Sequence, residues 1–262
     1  MMMRMSLLVA MLVAMTSDAA VLCTAKSGSG TVRVRTTCRR RETQLDPAAL
    51  RLQGPAGRGT AFEAPADPAP GSPSTLDDEF NSAAVDGKWS WVNQGSATIA
   101  ASANGYTTLT VTPTNGDNWR MRVQPKSGSF TVTMRYVSGF PMANYAAAGF
   151  VFRNSSNGKF TSYGFGYVNG GPNTIVQRFT DATTFSSTPI EFGLTMAQYL
   201  KTTSDGTTLT FYASLDGLAW TKIGTETIAA HIGTLDQIGF GVDCNNNGAA
   251  PFDTVLYWFR VT

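Results

Sequence analysis

Histidine is nearly absent from this chain. His231 is the only one in 262 residues, and just three cysteines accompany it. No Cys-x-x-Cys pair and no Cys/His spacing is present, so the sequence offers no zinc site. His231 sits between apolar residues in AAHIGT, as a packed or loop residue does. No Gly-x-Ser-x-Gly elbow accompanies it, which leaves no nucleophile–imidazole arrangement. No glycine-rich phosphate loop is found either. Charge is sparse at 15% of residues, with a net value of +2. From Leu76 onward there are 11 basic against 13 acidic side chains. A nearly neutral domain has no electrostatic footprint for nucleic acid. Long apolar runs are missing as well: Leu7–Met15 is about half of the ~20 residues that a stable membrane span needs. Segments with helical periodicity are also wanting.

What the chain does have is glycine, threonine, aromatics and short alternating runs. Thr207–Trp220, TTLTFYASLDGLAW, shows the pattern. Leu209, Phe211 and Ala213 alternate with polar residues, as on a half-buried strand, and Asp216-Gly217 then turns the chain. Asn157-Gly158 and Asp205-Gly206 are turns of the same kind. About a dozen such strands follow Leu76, the composition of an all-β extracellular domain. The ~187 residues after Leu76 suffice for a full core.

The chain before Leu76 divides into three parts. Residues 1–19 read as a secretory signal peptide, with Arg4 ahead of the apolar stretch and Ser17-Asp18-Ala19 at the cleavage point. Residues 20–59 form a small segment holding Cys23 and Cys38. In an oxidising compartment these two pair, closing a loop worth ~3 kcal/mol in the chain-entropy account; Cys244 is then left as a buried free thiol or a bridge to another chain. Thr31–Thr36 alternates like a strand, Arg39–Arg41 is a basic run in a turn, and Asp46-Pro47 opens a short helix. Residues 60–75 carry four prolines and read as an extended linker. The segment from Cys23 through QGPAG resembles the module ahead of collagen-like stretches in bacterial secreted proteins, here with only a stump of the repeat. That resemblance implies self-assembly through this segment.

The remaining pieces resemble a known superfamily. They are LDDEFN, DGKWSWVNQG, AGFVFRNSSNGKFTSYGFGY, GTTLTFYASLDGLAW, IGFGV and FDTVLYWFRV. In this order they are similar to the concanavalin A-like lectin/glucanase (laminin G-like) domains. The resemblance implies an all-β, two-sheet antiparallel jelly-roll sandwich over residues 76–262. It does not select among the lectins, glycosidases and adhesive or structural modules of that superfamily.

A glucanase of this kind would carry two working carboxylates ~5–5.5 Å apart on a Glu-x-Asp-x-Glu strand. No such motif occurs. Glu191 stands alone in PIEFGLT and Glu226 in GTETI. Carbohydrate binding would need aromatic faces beside polar groups. Tyr163 and Tyr167, on a strand that alternates aromatic with glycine, are candidates; the aromatic face of such a strand is also what a sandwich core requires. Trp119 and Tyr145, read as exposed, and Arg178 complete the set. For Ca²⁺, oxygen ligands are available from Asp77, Asp78, Asp243, Asn245 and Asp253, and the resemblance adds that related jelly rolls bind it; the same residue types also form turns. The expectation is a secreted or cell-surface, non-catalytic carbohydrate-binding or adhesive module whose partner is a glycan or surface polymer. A structural component of an extracellular coat is the alternative, and a glycoside hydrolase comes third.

Overall fold

The computed structural model describes residues 21–25, 32–35, 37–44, 74–139, 145–168, 171–193, 197–245 and 251–262. The leader over 1–19, the helix from Asp46, the collagen-like stump and the linker up to Pro73 lie outside these residues. The chain divides into two units, Met1–Ala64 and Pro65–Thr262. The first contains a small antiparallel sheet in which β1 (Val21–Ala25) lies between β2 (Val32–Arg35) and β3 (Glu42–Gln44). The expected Cys23–Cys38 disulfide is present, with 5.6 Å between the Cα atoms.

The second unit is the expected two-sheet antiparallel sandwich. One sheet has seven strands: β4 (Ser90–Val92), β7 (Trp119–Pro125), β16 (Gln237–Asp243), β9 (Ala147–Arg153), β10 (Phe160–Val168), β11 (Gly171–Asp181) and β12 (Thr184–Gly193), in that order across the sheet. The other runs β5 (Thr98–Ser102), β6 (Tyr106–Val111), β17 (Phe252–Val261), β8 (Ser129–Ser138), β13 (Tyr199–Asp205), β14 (Thr208–Ser214) and β15 (Thr221–Thr227). A single turn of helix, α1 (Ile228–His231), follows β15. Among the described residues no helix is long and apolar enough to cross a membrane. The turns expected at Gly206 and Gly217 have φ of +93° and +73°, which a Cβ would oppose.

The two sheets are built differently. In the second, burial alternates along β8 and β14, so one face meets the core and the other meets water. Phe211 of that sheet packs on Tyr163 and Phe152 of the other at 4.8 and 6.2 Å, and Phe259 on Phe150 at 5.8 Å. In the first sheet, β7, β9 and β10 are buried almost residue by residue. Their outward face carries a second apolar cluster that includes Trp119, Met121, Val151, Phe160 and Phe179.

That face is covered because the sheet curls over itself. The turn joining β11 to β12 reaches across three intervening strands to β7, where Trp119 N–H donates to Ala182 O at 2.8 Å. The Trp119 ring then meets Phe179 at 5.6 Å and Phe160 at 5.8 Å. Glycine makes the crease. Gly164, Gly149 and Gly241 lie side by side on neighbouring strands. A Cβ on Gly164 would strike the Ala148 carbonyl, and one on Gly241 would lie 3.2 Å from the Trp119 ring.

Trp119→Ala is therefore expected to destabilise the sandwich by about 3–5 kcal/mol, as for other buried tryptophans. Trp119→Phe is expected to cost far less, because the buried indole N–H has no hydrogen-bond partner to lose. Urea denaturation of the two variants checks the contrast.

Candidate functional site

The curled arm, together with the loops at the Asp243 end of the first sheet, encloses a cleft of about 440 Å³, within the usual range for small-ligand sites. Asp117, Asn245 and Tyr145 lie on its loop side. Gln177 of β11, with Thr188 and Glu191 of β12, comes from the arm. Val168 and Phe185 supply apolar surface.

The loop side is held by one buried acid. Asp243 ends β16 and is 1% exposed. Its Oδ1 accepts the Asn118 N–H at 2.9 Å and the Asn245 N–H at 3.0 Å. It thereby ties two separate segments together, and Asn245 Nδ2 completes the link by donating to Asp117 Oδ1 at 3.0 Å. Burial pushes the Asp243 carboxyl up to about 8, and the neighbouring Asp117 charge adds to the rise; the two N–H donors and Arg120 oppose it. The acid is thus protonated at neutral pH. Tyr145, 53% exposed, has φ of +101°. A non-glycine residue in that region stores backbone strain, a feature that concentrates at functional sites.

Gln177 stands on the outward face of β11 between Ile175 and Phe179. It is 5% exposed, and its Oε1 has no hydrogen-bond partner. An unpaired buried acceptor costs about 1–3 kcal/mol.

The residues singled out from sequence are dispersed. Tyr145 and Asn245 line the cleft, with Asp243 directly behind them. Trp119 is not exposed but lies beneath the arm, 1% accessible, because the curl of the sheet roofs it. Tyr163 is fully buried in the core between the sheets, and Tyr167 is half-buried against the same core. Arg178 pairs with buried Glu226 at 2.8 Å, and Glu226 also accepts from Thr161. Of the calcium candidates, Asp77 accepts the Ser74 and Val261 N–H groups, and Asp78 accepts Phe80 N–H and the Trp89 indole. Asp253 accepts the Thr110 hydroxyl on the second sheet. These five occupy three different places, and among the described residues no group of three or more acidic, cysteine or histidine side chains is arranged for a metal ion. His231 donates its Nε2–H toward the carbonyls of Phe160 and Phe179 at 3.2 and 3.0 Å, a packing role. Asp117 and Gln177 escaped the sequence reading. The Asn/Asp-rich TNGDN run around Asp117 was the available signal; Gln177 gives none.

No family model matches the sequence, and no curated protein does. Solved structures do. A family-43 glycoside hydrolase, BlXynB from Bacillus licheniformis, aligns with a TM-score of 0.56 at 17% identity, over 71% of this chain and 39% of its own. A xylan β-1,4-xylosidase from Bacillus halodurans aligns at 0.54 and 14% identity, over 74% and 40%. A functionally unknown protein from Saccharomyces cerevisiae aligns at 0.52 and 17% identity, over 67% and 96%. At these identities the likeness concerns the fold. This chain spans about two fifths of the length of the two hydrolases. The neighbours are nevertheless glycoside hydrolases for the most part. That finding overturns the expectation of a non-catalytic binding or adhesive module.

Proposed function

We propose that this chain is a glycoside hydrolase whose substrate lies in the cleft between Asp117 and Glu191. The observation that carries the reading is two carboxylates, one from the loops and one from the arm, lining one cavity of about 440 Å³. Glycosidic cleavage asks for this pairing: one carboxylic acid protonates the leaving oxygen while a carboxylate on the other side supports attack at the anomeric carbon. Asp117 accepts the Asn245 amide, which holds its carboxylate in place; the reading gives Asp117 the supporting part and Glu191 the part of the acid. Tyr145 at the rim offers an aromatic face for a sugar ring. The xylosidase among the neighbours makes β-linked xylan the first substrate to try.

The chain's span of two fifths of those hydrolases favours a second form of the same reading, in which this sandwich supplies one side of a hydrolase cleft shared with further polypeptide. In this reading the domain belongs to the concanavalin A-like superfamily, the leader-like opening supports secretion or surface display, and the disulfide-tied segment serves self-assembly. The deciding experiment is release of reducing ends from xylan and arabinoxylan by the purified chain. Release is expected. No release from the chain alone, and no gain in the release by a separate hydrolase when the chain is added to it, overturns both forms.

A further inference from the structure

We infer that the cleft is selective for neutral glycans, and that Gln177 is the residue on its arm side that receives a sugar hydroxyl. This deepens the proposed hydrolase reading and rests on it for the choice of substrate.

Polar groups from both the loops and the arm line the cavity. Asp117 and Glu191 are acceptors when ionised, and Gln177 lines the same cavity with a carbonyl oxygen that is buried and unpaired. Asn245 has committed one of its two amide hydrogens to Asp117 and offers its carbonyl oxygen as an acceptor. No lysine or arginine is among the described residues that line the cleft. Tyr145 and Thr188 add hydroxyls, and a site with this share of acceptors favours a ligand that brings hydrogens. Hydroxyls do so, whereas the carboxylate of a uronate adds negative charge beside Asp117 and has no hydrogen to donate.

Gln177 is the least expected of these groups. It sits among apolar neighbours on a strand where Leu or Val would pack without penalty, and its oxygen is buried and unpaired. Within the protein this arrangement only costs stability. A ligand hydroxyl in the cleft converts the cost into a hydrogen bond, so the gain appears on binding. Sites built to hydrogen-bond a hydroxyl discriminate strongly for that reason.

Calorimetric titration of the full chain tests this with xylotetraose, with the same tetramer bearing one glucuronic acid branch, and with the variant Gln177→Leu. Xylotetraose is expected to bind about tenfold or more tightly than the branched acid at low ionic strength, the gap narrowing as salt screens the carboxylates. Gln177→Leu is expected to lose about tenfold in affinity while its melting temperature stays level or rises. A merely structural glutamine would not give that opposite movement. Equal binding of the two sugars, or unchanged affinity in the variant, overturns the inference, as does failure of both sugars to bind. Binding without hydrolysis sinks the enzymatic reading and leaves the selectivity standing. Hydrolysis with unaltered kinetics in Gln177→Leu does the reverse.

Discussion

Glu191→Gln and Asp117→Asn are each expected to lower xylan hydrolysis by about 10²–10⁴-fold, the usual contribution of a positioned acid or base. Neither change is expected to move the melting temperature far, since Glu191 is exposed and Asp117 half-buried. The two should differ in substrate response. If Glu191 protonates the leaving oxygen, its amide variant retains activity on substrates with good leaving groups. Aryl glycosides provide that test. Asp117→Asn should stay inactive on them. Rates within threefold of the parent in both variants would remove these carboxylates from the chemistry.

The second large effect concerns stability and pH. The Asp243 carboxyl is held up at about 8 in the fold, against 3.8 for the ordinary group. The folded protein therefore keeps a proton that the unfolded chain gives up. The stabilisation from this group is complete below about pH 4. It falls by up to ~1.4 kcal/mol per pH unit as pH rises toward 8, where the fold releases its proton too. Arg120 and Asp117 are the charged groups that act on it, with opposite signs. Asp243→Asn keeps an oxygen for the Asn118 and Asn245 N–H groups and cannot ionise. It should match the parent near pH 4 and exceed it by several kcal/mol at pH 8. Urea denaturation across this range gives the comparison. A parallel pH dependence in the two proteins would show that Asp243 is not the group responsible. Because Asp243 joins the segments that hold Asp117 and Asn245, ligand affinity should fall along with stability on the alkaline side.

The core between the sheets was legible in the sequence because its strands alternate. Leu209, Phe211 and Ala213 point inward as their period requires, and Tyr163 with Phe165 fills the facing side. The cleft was far less legible. Its arm strand, β12, is exposed along most of its length and carries Pro189. Its pairing with β11 shifts register between Val176 and Asp181. No alternation marks such a strand, and proline on a sheet edge further disguises it. Glu191 therefore looked solitary. It shares a cleft with Asp117, some seventy residues away in sequence, only because the sheet curls, and curl is a property of several strands together. Trp119 was misplaced for the same reason: an aromatic at a strand start looks exposed until a distant turn covers it. Asp243 was read as one ligand of a polar loop, although the valine before it already marked it as the end of a buried strand.

The bond between Trp119 N–H and Ala182 O has a use as a gauge. It joins β7 to the arm that carries one wall of the cleft, and β12 on that arm is an edge strand, paired on one side only. Lifting the arm frees that amide to exchange with solvent, while amides in the middle of β9, bonded to strands on both sides, stay protected until the sheet itself opens. The exchange rate of one backbone hydrogen thus reports how often the cleft stands open, and its slowing in the presence of sugar would measure how firmly the ligand closes it.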